Sequence, residues 1–550
     1  MRKSTISLLS TLLLFSSVSL RAADIIPITP KPVSTTQGAG DYTFCDNTII
    51  SYPKYANDSI GMVVRNFTKD FKTTTGIALS PGENTANAPI LLKQDKTLAA
   101  EEYTLQVTPL NITITAARPV GFFYAFQSLK QLMPPAIMAV KHDPSVTKWS
   151  VPAISIKDKP RFGWRGFMLD VGRHFFDKNE IKRVIDVMAM YKMNRFHWHL
   201  SEDQGWRIEI KKYPKLTEIG SKRKYSQVWG PDHKPYHDYV PYGPYYYTQE
   251  DIKEVVHYAK ERFIEILPEI DMPGHFQAAL AAYPEFSCTP NKKHEVWTDY
   301  GISTDVLNVA NPKSVQFAKD ILDEVTALFP FGYIHIGGDE CPTNEWKTNT
   351  QCQELLKKIG SANYHDLQTH FFKDIEKYLA NKKKAVDRRR IIAWNETLSG
   401  NLEGSNVTIM AWVNATAAAK KAADMKLDVI MSPYIPYYIN RKQTKDPNEP
   451  FSQGNGTETV QSVYNYEPVG KDVTETQRSY YKGVQANFWT EHVGENWKLE
   501  YLMTPRIAAV AEAGWTPSEL KNFEDFIERF RHDTKLFDMI NWKYSTHTLK

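Results

Sequence analysis

From Arg161 onward, short β-rich runs alternate with helical patterns, and eight such runs can be counted. They are Trp164 to Val171, Arg195 to Leu200, Ile264 to Ile270, Tyr333 to Gly337, Arg390 to Trp394, Thr408 to Val413, Val429 to Ser432 and Gly483 to Trp489. Between them lie amphipathic segments such as Asp177 to Tyr191, where Ile181, Val184, Ile185 and Met188 share a face behind a capping Asp177. Thr248 to Phe263 repeats the arrangement, with Thr248 as cap and Asp251 in the first turn. Eight strand-helix units over about 350 residues fit a (β/α)8 barrel with enlarged loops better than an open sheet. The fold class expected is α/β, a TIM barrel preceded by a small α/β domain.

The expected boundaries are residues 24–150 for the small domain, 160–517 for the barrel and 518–550 for a closing helix, Phe523 to Phe537, with a tail. In the small domain Tyr103 to Thr115 alternates like a hairpin, and a helix is expected from Gly121 to Leu132. Ala136 to Pro152 reads as a connection. Met1-Arg2-Lys3, the apolar stretch Ile6 to Leu20 and Ala22-Ala23 read as a secretory signal spanning residues 1–23, so a periplasmic or secreted protein is expected. No later run approaches the roughly 18 apolar residues of a membrane span. A membrane anchor is therefore not expected.

A formal charge of +4 on 550 residues, with no basic stripe interleaved with aromatics, argues against nucleic-acid binding. Cys45, Cys288, Cys341 and Cys352 permit three full pairings in an exported protein. A bridge from Cys341 to Cys288 or Cys352 and free buried thiols both remain open. The cysteines show no metal-site spacing; His197 and His199, alternate residues on one strand face, could hold a metal or serve packing and hydrogen bonding, and no cofactor is expected.

In such a barrel, function collects at the C-terminal ends of the strands. The residues there share one chemistry: Asp170 and Arg173, then Glu202, Asp203 and Trp206, then Asp271 and His275. Asp339 and Glu340 follow the fourth run; Trp394, Asn395 and Glu396 close the fifth, and Trp412 the sixth. Tyr437, Tyr438, Asn440 and Arg441 follow the seventh, and Trp489 and Glu491 the eighth. A pyranose offers hydroxyls to charged partners and C–H faces to aromatic rings, so carboxylates and tryptophans around one mouth point to a sugar site. The adjacent acids Asp339 and Glu340, set after an apolar run, would repel each other and resist desolvation unless partners or a substrate offset that cost. The segments Lys211 to Tyr247 and Pro433 to Gly470, rich in Tyr, Pro and polar residues, are expected to be loops over the mouth.

Four motifs together carry a family resemblance: His335-Ile336-Gly337-Gly338-Asp339-Glu340, Asp170-Val171-Gly172-Arg173-His174-Phe175, His199 to Arg207 and Pro268 to His275. They resemble glycoside hydrolase family 20, the β-N-acetylhexosaminidases, over most of the barrel. The resemblance implies exo hydrolysis of terminal β-linked N-acetylglucosamine or N-acetylgalactosamine, in which the substrate's own 2-acetamido group attacks its anomeric carbon. It implies Glu340 as general acid and base, Asp339 as the group that orients the acetamido N–H, and Asp203 and His275 as a chain to the acid. It also implies Arg173 on the sugar hydroxyls, Trp394, Trp412 and Trp489 around the acetamido group and ring, Tyr438 on the acetamido oxygen, and Glu491 on O4. The implied partner is a glycan, and members of the family commonly form dimers.

Two positions depart from the family pattern. Asn440 and Asn395 stand where Asp is frequent, and Arg441 stands beside the former. Loss of a negative charge near O4 and O6 would favour a 6-sulfate, whereas a plain hydrogen bond from Asn440 to a neutral hydroxyl, with Arg441 turned to solvent, is the alternative. Two rival functions also stay open. One is a metal-dependent hydrolase using His197, His199 and Asp339; the other is a silent glycan-binding protein that keeps the aromatic mouth.

Overall fold

A computed structural model describes residues 25–54, 58–229, 234–453 and 456–549. The expected signal lies outside the described residues. Eight parallel strands close into a barrel in chain order: Trp164–Asp170, Arg195–His199, Glu265–Glu269, Tyr333–His335, Arg390–Trp394, Thr408–Ala411, Val429–Met431 and Tyr481–Phe488. Closure comes from the last strand pairing with the first, in register from Gly483 opposite Trp164 to Phe488 opposite Leu169. Seven of the expected runs contain one of these strands, and the eighth, Gly483 to Trp489, overlaps a strand that begins two residues earlier at Tyr481.

Helices Lys178–Met190, Gln249–Lys260, Pro312–Leu328 and His365–Ala380 cover the first half of the barrel. Asp177 caps the first through the amides of Asn179 and Glu180. Thr248 and Asp251 form a reciprocal capping box at the second. The fifth connection departs from the strict alternation: it holds only the 3-10 turn Asn395–Ser399, so the fifth and sixth strand ends lie close along the chain.

The small domain is a seven-stranded mixed sheet with helices Ser59–Thr75 and Pro119–Gln131. The expected hairpin is present as Tyr103–Val107 paired antiparallel with Ile112–Ala116. The expected connection ending at Pro152 runs into a nine-residue strand instead, Ser150–Asp158, which pairs with both Ser34–Thr43 and Tyr103–Val107. Proline usually argues against an inner strand because it has no N–H to donate. Here Pro152 lies opposite Asp41, next to a register shift and before pairing to Tyr103–Val107 begins at Ile154.

The closing helix is Phe523–Met539, and it packs on the turn Pro135–Met138 of the small domain. Helix Arg506–Trp515 carries Trp515 into the small domain's core, where its Nε1 donates to Asp158 Oδ1 at 2.8 Å. No described helix is long and apolar enough to cross a membrane. All four cysteines are free thiols, so Cys341 makes no bridge; Cys288 and Cys352 are the pair whose side chains hydrogen-bond.

Candidate active site

The loop that follows the fourth strand needs its two glycines. Gly337 and Gly338 have φ of 71° and 98°, a region that favours glycine. A Cβ on Gly337 would lie 1.7 Å from Asp271 Oδ1, and one on Gly338 would lie 2.7 Å from the Phe372 ring. The tight turn leaves Asp339 buried and Glu340 partly open at the mouth. Glu340 and His275, both non-glycine, also hold positive φ, 46° and 48°. Such strain persists only where the surroundings over-determine it, and it gathers at functional sites.

Glu340 is linked to the second and third strand ends. His275 Nε2 stands 3.4 Å from Glu340 Oε2, while its Nδ1 reaches Asp203 Oδ2 at 3.2 Å and Glu202 Oε2 at 3.1 Å. Asp203 is fixed by the amides of Gln277 and Ser303, at 3.0 and 3.1 Å. Burial opposes a charge on His275, but the Glu202 carboxylate and the bonds to Asp203 and Glu340 outweigh it, so the imidazole is held well above the usual histidine range. The charged imidazole thus stands between the Asp203 and Glu202 carboxylates on one side and Glu340 on the other.

Asp339 faces a second carboxyl. Asp271 is pushed well above the usual carboxylate range by burial and by the Asp339 charge, and burial raises Asp339 as well, so the pair resists a second charge. Asp271 Oδ1 accepts from the Gly338 amide at 3.1 Å. Asp339 Oδ1 has no partner in the protein.

The floor of the mouth is a hub around Glu269. Its carboxylate is hydrogen-bonded by His199 Nδ1 and by Trp394 Nε1 at 2.8 Å, with His335 Nδ1 at 2.8 Å and His197 Nε2 at 2.9 Å as further close neighbours. Burial resists its ionisation, but the three imidazoles outweigh burial and hold Glu269 well below the usual range. His197 and His199, the candidate metal ligands, both lie against Glu269, grouped with His335 and Asp271 respectively rather than with Asp339. His197 Nδ1 is also paired with Gln485 at 3.0 Å.

Above this floor the aromatics form walls. Trp394, Tyr438 and Trp489 are buried in a small cluster inside the barrel, with Trp412 packed at its edge. Trp412 and Tyr438 stack at 5.9 Å between centroids, and Trp489 lies 6.0 Å from Trp394 and 6.1 Å from Tyr438. Trp412 is held through Nε1 by Glu396 at 2.8 Å. Burial, then the charge of Asp339, raises the Glu396 carboxyl to about 8.

Opposite stands Arg173, bonded to Glu202 at 2.7 Å and near Asp170 at 3.5 Å, with its guanidinium 5.0 Å from the Trp489 ring. Asn440 donates to Gln453 at 2.6 Å, and Gln453 donates to Glu491 at 3.3 Å. Glu491 is raised to about 7 by burial despite the nearby Arg173. Two sequence candidates do not face this space. Arg441 lies over the Tyr434 ring and 3.9 Å from Glu458, and Asn395 is used by the Trp412 and Val413 backbone.

The glycosyl hydrolase family 20 catalytic-domain model matches residues 162–518, and the model for domain 2 of that family matches residues 26–159. The chain belongs to glycosyl hydrolase family 20. A curated β-hexosaminidase of Porphyromonas gingivalis is 37% identical over 94% of this chain, which spans 64% of that protein's length. One from Akkermansia muciniphila is 31% identical over 85% of this chain and 92% of its own length. Among solved structures, N-acetyl-β-hexosaminidase of Streptomyces plicatus superposes with TM-score 0.79 at 29% identity, covering 95% of this chain and 97% of that one. An exo β-N-acetylglucosaminidase of Vibrio harveyi, solved with N-acetylglucosamine, gives TM-score 0.81 at 31% identity, covering 96% and 78%.

In this family-20 chain, sequence reasoning assigned no role to Glu269, Asp271, Glu202 or Gln453. Asp271 and Glu202 were visible as acids after strand ends. Glu269 had a weaker signal, an acid inside an otherwise apolar strand, and Gln453 had none.

Proposed function

We propose that the protein is an exo-acting, retaining β-N-acetylhexosaminidase that removes terminal β-linked N-acetylglucosamine or N-acetylgalactosamine from glycans by substrate-assisted catalysis. The observation that carries this reading is the pairing of Asp339, with its buried unpartnered Oδ1, and Glu340 beside an aromatic-walled pocket. Glu340, linked to His275 and Asp203, protonates the departing glycosidic oxygen as the acetamido carbonyl attacks the anomeric carbon. Asp339 accepts from the acetamido N–H and stabilises the positive charge that grows there, an electrostatic contribution made only as the transition state forms. In this scheme Asp271, the more strongly raised of the two carboxyls, carries the shared proton and Asp339 is the anion. Trp394, Trp412 and Trp489 close around the acetamido methyl and ring, and Tyr438 donates to the carbonyl oxygen. Water then opens the oxazolinium with Glu340 as base, and the β configuration is retained.

The same proposal extends to 6-sulfated sugars. Asn440 places an uncharged carboxamide near O4 and O6, whereas Arg441 is turned toward Tyr434 and Glu458. Asn440→Asp should lower turnover of a 6-sulfated aryl N-acetylglucosaminide relative to the unsulfated one; an unchanged ratio refutes the extension. Export from the cytoplasm also belongs to the proposal, supported by the basic start and the apolar stretch Ile6 to Leu20.

The deciding experiment compares an aryl β-N-acetylglucosaminide with the matching aryl β-glucoside. Cleavage of the acetamido compound alone is expected, and comparable cleavage of both would refute participation by the substrate.

A further inference from the structure

The connection between the seventh and eighth strands reaches the pocket through Gln453. Its Oε1 accepts from Asn440 Nδ2 at 2.6 Å, and its Nε2 donates to Glu491 Oε1 at 3.3 Å. An amide wedged between an N–H donor and a carboxylate satisfies both in only one orientation, so the relay has a fixed direction. It leaves Asn440 Oδ1 and Glu491 Oε2 buried and without protein partners. Two residues before Gln453, the Phe451 ring packs 5.3 Å from Trp229 and 5.1 Å from His492, the residue after Glu491. The loop is therefore pinned beside the carboxyl that Gln453 contacts.

We propose that Gln453 is a positioning residue that sets specificity at the sugar's C4 hydroxyl. It ties down one oxygen of Glu491 so that the other, with Asn440 Oδ1, meets hydroxyl donors at a preset angle. An axial hydroxyl at C4 leaves the ring in a different direction from an equatorial one, so a fixed pair of acceptors distinguishes the epimers where a freely rotating carboxylate adapts to both. The inference rests on the hydrolase reading above, which puts the sugar's O4 beside Glu491.

The test measures kcat/KM for aryl N-acetylglucosaminide, its C4 epimer and its 4-deoxy analogue with wild type, Gln453→Ala and Gln453→Glu. Gln453→Ala should lower kcat/KM for the favoured epimer about tenfold, as for a lost hydrogen bond to a charged group, chiefly through KM. The ratio between epimers should fall by at least about threefold, while the 4-deoxy compound stays within about twofold of wild type. Gln453→Glu keeps the shape but sets a carboxyl against Glu491, so it should fail to restore the ratio. Equal loss on all three substrates, no loss, or restoration by Gln453→Glu would each show that Gln453 only packs the loop, and the proposal falls. If Gln453→Ala does not fold, the near-isosteric Gln453→Glu alone decides between these outcomes. Failure of the underlying reading shows separately, as wild-type enzyme that does not prefer the acetamido substrate over the glucoside.

Discussion

Two buried polar clusters in this molecule have opposite states of satisfaction. At the seam between the small domain and the barrel, Lys192 reaches Asp158 at 3.1 Å and the Tyr103 hydroxyl at 3.0 Å. Both oxygens of Asp158 are used, by Tyr103, Trp515 and the Val33 amide as well. Nearby, Arg529 and Glu512 form two bonds of 2.7 Å, with Tyr464 adding a third to the carboxylate at 2.9 Å. At the mouth, Arg173 Nε, Asp339 Oδ1, Asn440 Oδ1, Trp489 Nε1 and Glu491 Oε2 are buried without partners. Native proteins pair nearly all such atoms, and the exceptions call for an explanation. The seam is paired almost throughout by the protein itself, with Asp533 Oδ1 the exception beside Arg529. The mouth is a surface whose missing partners a polar ligand can supply.

Glu340→Ala should give the largest effect. Removing a general acid and base costs about 10³-fold in kcat, with little change in melting temperature, because Glu340 is partly exposed and makes few bonds. A variant that instead unfolds would place Glu340 with the seam. Lys192→Met should do the reverse. It leaves Asp158 charged and buried beside an apolar chain, a loss of about 3–5 kcal/mol in denaturant unfolding, with kcat of the folded fraction unchanged.

Asp271 tests whether the mouth's own proton matters. Asp271→Ala should cost about tenfold or more in kcat/KM, as for a lost bond to a charged group, whereas Asp271→Asn keeps an N–H donor and should recover most of it. Equal losses in both would mean that Asp271 only fills space. The smallest effect concerns pH. Glu491 is raised from 4.5 to about 7, so the folded state binds more protons than the unfolded one between those values, and stability falls as pH rises through that window. Glu491→Gln removes the penalty: melting temperature should rise at pH 8 and change little at pH 4. A rise of equal size at both would show that Glu491 carries no cost of ionisation.

The eight strands were legible as short β-rich runs spaced by helical patterns, and the mouth residues because the fold fixes which strand end is functional. Asp339, Glu340, Asp203, His275, Arg173, Trp394, Trp412, Tyr438, Asn440, Trp489 and Glu491 all meet there, though they span more than 300 residues of sequence. The strand Ser150–Asp158 was hidden because Pro152 forbids one hydrogen bond, and only its partner's register shift excuses it. The direction of Arg441 was equally hidden, since nothing local announces that Tyr434 and Glu458 lie on its other side.

By itself, the sequence determined the periodicities, and with them the barrel and the side-chain types around its mouth, because burial and hydrogen bonding within an element are local and repeat with the element. Tertiary structure alone decided which buried charges are paired. Glu269 gathers groups from three other strands, Asp271 is pushed up by burial and by the Asp339 charge against it, and Gln453 reaches Glu491 across 38 positions. Those are contacts between elements distant along the chain, and the electrostatics of a buried group depend on every neighbour the fold brings to it.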